Sequence, residues 1–243
     1  MRAAVFGLFL GGLFSGALLS AQTAQAYDAY DPANCNGIDW NDQRALVVSK
    51  VTAQPRAHFI KSPYDDDFKA ASCPAATDAC RKKSFLVTGD LVLVGKTRGE
   101  FTCVLYQSPA AKKPTWSKGW LPSAALTPVT PMASPQISDW TGKWSQPGGT
   151  ITIKRGDGGK LHVEGEMIVR GAQNVQTGEI GAKVTPQGGV IAFVDDGTTS
   201  FEKKDAGECR VRMQRIGPWL VVEDNSGCGG VAVTFTGFYR RAK

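Results

Sequence analysis

The chain has 243 residues, a formal net charge of +6, 42% hydrophobic residues and six cysteines. That length fits one large domain or two of about a hundred residues each. Basic residues are scattered among acidic ones, with tight clusters only at Arg81-Lys82-Lys83 and Arg240-Arg241; nucleic-acid binders gather their charge on one face, so nucleic acid is excluded as a partner, while a mildly basic surface suits an anionic one.

The N-terminus carries one charge, Arg2, followed by the uncharged run Ala3–Leu19 and the small-x-small sequence Ala24-Gln25-Ala26. This is the pattern of an export signal, predicted to span residues 1–26 with cleavage after Ala26. The alternative is a retained anchor, against which Gly11, Gly12 and Gly16 weaken the run as a helix. No later segment is apolar enough to span a bilayer, so no stable membrane span is expected after cleavage. The predicted location is periplasmic or secreted.

Cysteines behind an export signal read as disulfides. Cys35, Cys73, Cys80 and Cys103 precede residue 104, and Cys209 and Cys228 follow residue 208. If each half folds alone, Cys209 pairs with Cys228. Cys73 and Cys80 flank a short polar loop and are paired, leaving Cys35 with Cys103; the order of the first four permits other pairings. The spacings lack paired C-x-x-C and there are two histidines, so no metal is expected.

In the first half, residues 27–128, the strands expected are Ala45–Val51, Ala57–Lys61, Asp90–Lys96, Phe101–Tyr106 and Gly119–Leu121, short β-branched and aromatic runs broken by turn residues. Pro63 to Ser84 reads as a long loop with its own cysteine pair, and Gln107 to Ser117 as an insert. Asp65-Asp66-Asp67 reads as a solvated loop rather than a calcium site, because adjacent carboxylates cannot all face one ion.

Gly89-Asp90-x-Val92-x-Val94, then Phe101 and Val104, then Gly119-Trp120-Leu121 and Leu126 follow the order seen in bacterial SH3-like domains, which the segment from Val47 to Leu126 resembles. The resemblance implies binding of peptide or cell-wall stems by aromatic side chains in a shallow groove. The candidates are Tyr64, Tyr106, Trp116 and Trp120. Trp120 also reads as core, whereas Trp116, between Pro114-Thr115 and Ser117-Lys118, reads as an exposed loop residue suited to an interface.

Three prolines between Leu126 and Pro135 favour extended chain, and residues 129–138 are assigned as a linker. In residues 139–243 the expected strands include Lys160–Val169, Ala182–Thr185, Gly189–Val194, Cys209–Ile216, Trp219–Glu223 and Val231–Arg240, with Gly217-Pro218 as a hairpin turn. Alternation in Cys209, Val211, Met213 and in Val231, Val233, Phe235 marks strands with one buried face. Arg210 and Arg212 share the other face of their strand. They read as a solvated face or as contacts for carboxylates.

Gly142-x-Trp144 resembles the first strand of calycin-type barrels. The resemblance implies a closed antiparallel barrel of about eight strands, with Trp144 packed against Arg240 or Arg241 near its base; such a barrel can be filled by its own side chains. The fold class is therefore all-β: an SH3-like small barrel followed by a second antiparallel β-barrel or sandwich.

Residues after the export signal contain no G-x-S-x-G, and His58 and His162 fall in different halves. No catalytic residue and no cofactor is assigned. The expected function is a non-enzymatic binding protein of the cell envelope, its partner peptidoglycan, a peptide or an envelope protein. The alternatives are a periplasmic inhibitor or immunity protein against a wall hydrolase such as a lysozyme or amidase, with loops such as Asp65–Lys83 and Asp224–Gly230 as the contact, and an unrecognised hydrolase.

Overall fold

The computed structural model describes residues 27–28, 31–36, 47–67, 69–108, 115–195 and 208–242; the export signal expected over residues 1–26 lies outside them. No helix among the described residues is long and apolar enough to cross a membrane. The fold is all-β and antiparallel, a curled half-barrel sheet followed by a nearly closed eight-stranded barrel.

The first sheet contains β1 (Val47–Val51), β2 (Arg56–Ile60), β3 (Arg81–Val87), β4 (Leu91–Arg98), β5 (Phe101–Gln107), β6 (Trp116–Pro122) and β7 (Leu126–Pro128). Their order is β3-β2-β6-β5-β4-β1-β7. Register shifts between His58 and Ile60 and between Val94 and Thr97 interrupt the ladders, and bulges of this kind bend strands and raise local twist. The curl encloses Val51, Phe59, Leu86, Val92, Val104 and Leu121. A second cluster joins Trp120, Phe101 and Ile60 to the disulfides Cys35–Cys103 and Cys73–Cys80.

Two expectations for this half are corrected. Residues 81–84 are strand rather than the end of a long loop. The Cys73–Cys80 bridge closes the excursion and a 3₁₀ turn at Asp78–Cys80 feeds the chain into β3. The charges there are accommodated locally, Lys82 on Asp65 at 2.9 Å and Arg81 on Asp78 at 2.8 Å. Leu126–Pro128, at the end of the expected first half, is strand and pairs with β1. Trp116 begins β6 opposite Gln107 and is half-buried, not an exposed loop residue.

The barrel opens with a one-turn helix, α1 (Ile137–Trp140), followed by β8 (Gly142–Gln146), β9 (Gly149–Arg155), β10 (Leu161–Arg170), β11 (Val175–Val184), β12 (Val190–Val194), β13 (Arg210–Ile216), β14 (Trp219–Asp224) and β15 (Gly237–Arg241). The order β11-β10-β9-β8-β15-β14-β13-β12 brings β11 and β12 to the seam, where the Gly181 amide donates to the Asp195 carboxylate at 2.5 Å. Along β10, Leu161, Val163 and Met167 point inward while Glu164 and Glu166 face outward, the period-two pattern of a half-wetted strand. The interior is filled by Trp144, Ile151, Leu161, Met167, Met213, Leu220, Phe235, Tyr239 and their neighbours.

Two expectations are corrected here too. β11 starts at Val175, well before Ala182. The last strand starts at Gly237, not Val231. Residues 231–236 are instead held by the buried Asp224 carboxylate, which accepts from the Phe235 amide at 3.2 Å and from the hydroxyls of Thr234 and Thr236 at 2.5 and 2.7 Å. This segment sinks Val233 and Phe235 into the barrel's core. Alternation there therefore reflects a plug rather than a strand. The Cys209–Cys228 disulfide ties the plug to β13. Its approach to β11 depends on Gly178, where a Cβ would collide with the Cys228 carbonyl oxygen.

At the other end Trp144 is buried, and its Nε1–H donates to the Trp140 carbonyl at 2.8 Å. The guanidiniums of Arg215 and Arg241 lie 4.3 and 4.9 Å from its ring centre. Arg241 also donates to the carbonyls of Ser138 and Asp139 at 3.0 and 2.9 Å, fastening α1 to the last strand. Arg240 points elsewhere, its guanidinium 4.4 Å over Trp219.

The two sheets share one apolar cluster: Val48 and Leu93 from the first sheet with Ile216, Val221 and Phe238 from the barrel, flanked by Leu91, Leu105, Trp116, Val129 and Trp219. The proline-rich segment between them is bonded on both sides. The Val129 amide donates to Val48 and the Met132 amide to Arg215, at 2.8 and 2.9 Å.

Candidate functional site: a cleft between the two sheets

Where the shared cluster meets solvent the two sheets leave a cleft of about 500 Å³, within the range of small-ligand sites. The first sheet supplies Lys50, Gly89-Asp90-Leu91 from the turn into β4, and Tyr106-Gln107-Ser108 from the end of β5. The barrel supplies the β8–β9 turn at Ser145-Gln146-Pro147, the β13–β14 hairpin at Ile216–Trp219, and Phe238 and Arg240 of β15. Val129 forms part of the lining from the connecting segment. Gly217, at φ 53°, makes the tight turn that presents Trp219.

The cleft has an apolar body and a polar rim. Leu91, Tyr106, Val129, Ile216, Trp219 and Phe238 offer ring and aliphatic surface, and Trp219 meets Phe238 edge-on with ring centres 6.0 Å apart. Gln107 and Gln146 join the two halves: Gln107 Nε2 donates to Gln146 Oε1 at 2.8 Å, and Gln107 Oε1 accepts from the Phe238 amide at 3.2 Å. Gln146 Nε2 donates onward to the buried Tyr239 hydroxyl at 2.8 Å.

The Asp90 carboxylate is engaged within its own sheet, accepting from the Val87 amide at 2.9 Å and from the Tyr106 hydroxyl at 3.4 Å. Burial, and then the neighbouring Asp90 charge, hold the Tyr106 phenol above its ordinary pKa, so it stays a neutral hydrogen-bonding group at physiological pH. Lys50 and Arg240 are exposed, and no carboxylate among the described residues pairs with either.

Of the residues singled out from sequence, Tyr106 lines the cleft and Trp116 packs behind it in the shared cluster. The other four lie elsewhere. Trp120 is fully buried and donates from Nε1 to the Ala33 carbonyl at 2.9 Å, so it is a core residue that fastens the N-terminal segment. Tyr64 does a similar task, donating to Asp31 at 2.9 Å and meeting Tyr27 edge-on at 5.0 Å. Arg210 and Arg212 stand on β13 and are half-buried rather than solvated; Arg212 lies 3.8 Å from Glu223 of β14.

Sequence reasoning missed Trp219, Phe238, Lys50, Gln107 and Gln146. The one local signal was a tryptophan directly after a Gly-Pro turn, which places a large ring at a hairpin tip. The rest are ordinary strand residues whose convergence depends on how the sheets dock.

The remaining chemistry-bearing residues are separate. His58 Nδ1 lies 2.9 Å from the Lys82 carbonyl on the first sheet, and His162 is on β10 beside Gly156. Asp65 and Asp66 face Lys82 and Lys61. Among the described residues no group of three or more His, Cys, Asp or Glu side chains is placed to hold a metal ion.

A scan against protein-family models and searches of the curated proteins and of the solved structures return no match to this chain.

Proposed function

We propose that this chain is an exported, non-enzymatic binding protein of the cell envelope, periplasmic or secreted, that holds a peptide or cell-wall ligand in the cleft between its two sheets. The observation that carries this reading is the cleft itself, where three aromatic side chains and unpaired polar groups from both sheets converge. Large rigid rings supply contact area at low entropic cost. The three disulfides fit an oxidising compartment. The resemblance of the first half to bacterial SH3-like domains points to the same ligand class, now with Tyr106 as the one aromatic of that set that lines the cleft. Side chains such as Trp144, Met213 and Tyr239 pack the barrel's interior, which supports placing the ligand outside it.

The test is sedimentation of the processed full-length chain with purified cell-wall sacculi and with a soluble muropeptide digest. Binding lost in the Tyr106→Ala, Trp219→Ala double variant supports the reading. Retention of neither ligand by the wild-type chain refutes it.

A second reading is favoured by one observation. Val231 is 84% exposed on the disulfide-tied plug, between Gly230 and the positive-φ Ala232 (65°). A rigid loop with an apolar tip suits insertion into another protein's concave site, as an inhibitor of a wall hydrolase requires. Inhibition of a lysozyme or amidase that disappears in Val231→Asp would favour it over the cleft.

A further inference from the structure

The cleft's charges are unequal in availability. Its carboxylate, Asp90, is already taken by the Val87 amide and the Tyr106 hydroxyl. Its two cations, Lys50 and Arg240, come from opposite walls, are exposed, and have no carboxylate partner among the described residues. Arg240 is held in place by stacking on Trp219 at 4.4 Å, and a guanidinium so stacked keeps its N–H edge for planar acceptors. The same lining includes the apolar surface of Leu91, Trp219 and Phe238. A ligand that satisfies such a lining carries an anionic group at one end and an apolar body.

Resting on the cleft reading above, we infer that the cleft recognises a carboxylate on a short apolar peptide, with Lys50 and Arg240 as the specificity-determining residues and Trp219 as the surface for the neighbouring side chain. Charge-assisted hydrogen bonds to a carboxylate are the strong class. A neutral isostere leaves both cations unpaired, so discrimination comes from the anionic end and general affinity from the rings. The carboxylate can be a peptide's C-terminus or an acidic side chain, since the two offer the same pair of acceptor oxygens.

The experiment uses three fluorescent probes with the full-length processed chain: dansyl-Leu-Leu with a free carboxylate, its carboxamide, and dansyl-Leu-Glu carboxamide. Titration follows the rise in dansyl emission. The expected result is that at least one acid binds about tenfold more tightly than the dileucine amide, with the identity of that acid telling C-terminus from side chain. Lys50→Gln and Arg240→Gln should bring the acids down to the amide, while Trp219→Ala weakens all three, the acids most, because Arg240 loses the ring it stacks on. Added salt should narrow the gap. Equal affinities for acids and amide overturn the inference and leave the cleft reading standing, provided Trp219→Ala still weakens them. No binding of any probe also overturns it, and binding to sacculi then shows whether the cleft reading falls as well.

Discussion

Gln107, on the last position of β5, and Gln146, at the end of β8, share a 2.8 Å amide–amide hydrogen bond across the junction of the two sheets. The same Gln107 accepts from the buried Phe238 amide, and the same Gln146 reaches Tyr239. A single side chain thus satisfies one wall and aligns the other.

Replacing Gln107 with Leu keeps its bulk and leaves the Phe238 amide without its acceptor. Unsatisfied buried groups cost about 1–3 kcal/mol. The expected outcome is a lower urea midpoint of that size, with weaker binding in the cleft although Gln107 itself is buried. A variant that binds normally despite its lost stability would show that the two walls hold their spacing without this bond.

Alkaline pH should act through Tyr239. Burial, reinforced by the Asp224 charge, holds its phenol well above the ordinary value. The folded state therefore retains this proton at pH values where the unfolded chain has released it. Its contribution to stability is complete below about pH 10 and is lost as pH rises beyond that. Melting temperature measured from pH 8 to pH 11 should fall at the upper end. In Tyr239→Phe the fall should be shallower and the starting stability lower, since the hydroxyl bond to the Phe235 carbonyl at 2.9 Å is gone.

The disulfides should rank by the chain they enclose. Cys35–Cys103 spans 68 residues and Cys73–Cys80 spans 7. The chain-entropy relation gives about 4 kcal/mol for the first and about 2.5 kcal/mol for the second. Paired Cys→Ser variants, compared by chemical denaturation, should show the first as the larger loss. The reverse order would mean that local packing around Cys73 and Cys80 outweighs loop closure.

Gly178→Ala tests the plug. The added methyl meets the Cys228 carbonyl and the Val233 side chain, and overpacking of this kind costs about 1–3 kcal/mol. Hydrogen exchange should rise in residues 226–236 ahead of β9 and β10. Uniform loosening of the barrel would refute the plug as a separately displaced unit.

Much of the fold was legible because burial leaves a two-residue period. β5, β12, β13 and β14 fall close to their expected positions, and the three cysteine pairs are those suggested by chain order. Two of the failures share a cause. Arg81–Lys83 fell within the expected Pro63–Ser84 loop, yet it is an edge strand on which Asp78 and Asp65 pair with Arg81 and Lys82. At Val231–Thr236 alternation suggested a strand, yet a buried carboxylate takes the backbone's place as hydrogen-bond partner. In both, polar side-chain contacts overrode the pattern of the strand residues themselves.

The site was far less legible. Trp120 and Trp116 drew notice as tryptophans, but one is locked to Ala33 and the other packs behind the cleft. Trp219 and Phe238 become neighbours only when β14 and β15 pair, and they meet Tyr106 only when the barrel docks on the first sheet.

Val129 and Met132 bond to opposite sides of the junction, so the proline-rich segment is a clamp rather than a joint. A protease cut there would not release two indifferent pieces, because each would carry half of a matching apolar face. The pieces should reassociate in dilute solution, so that the chain cut at this segment would behave as a complementing pair.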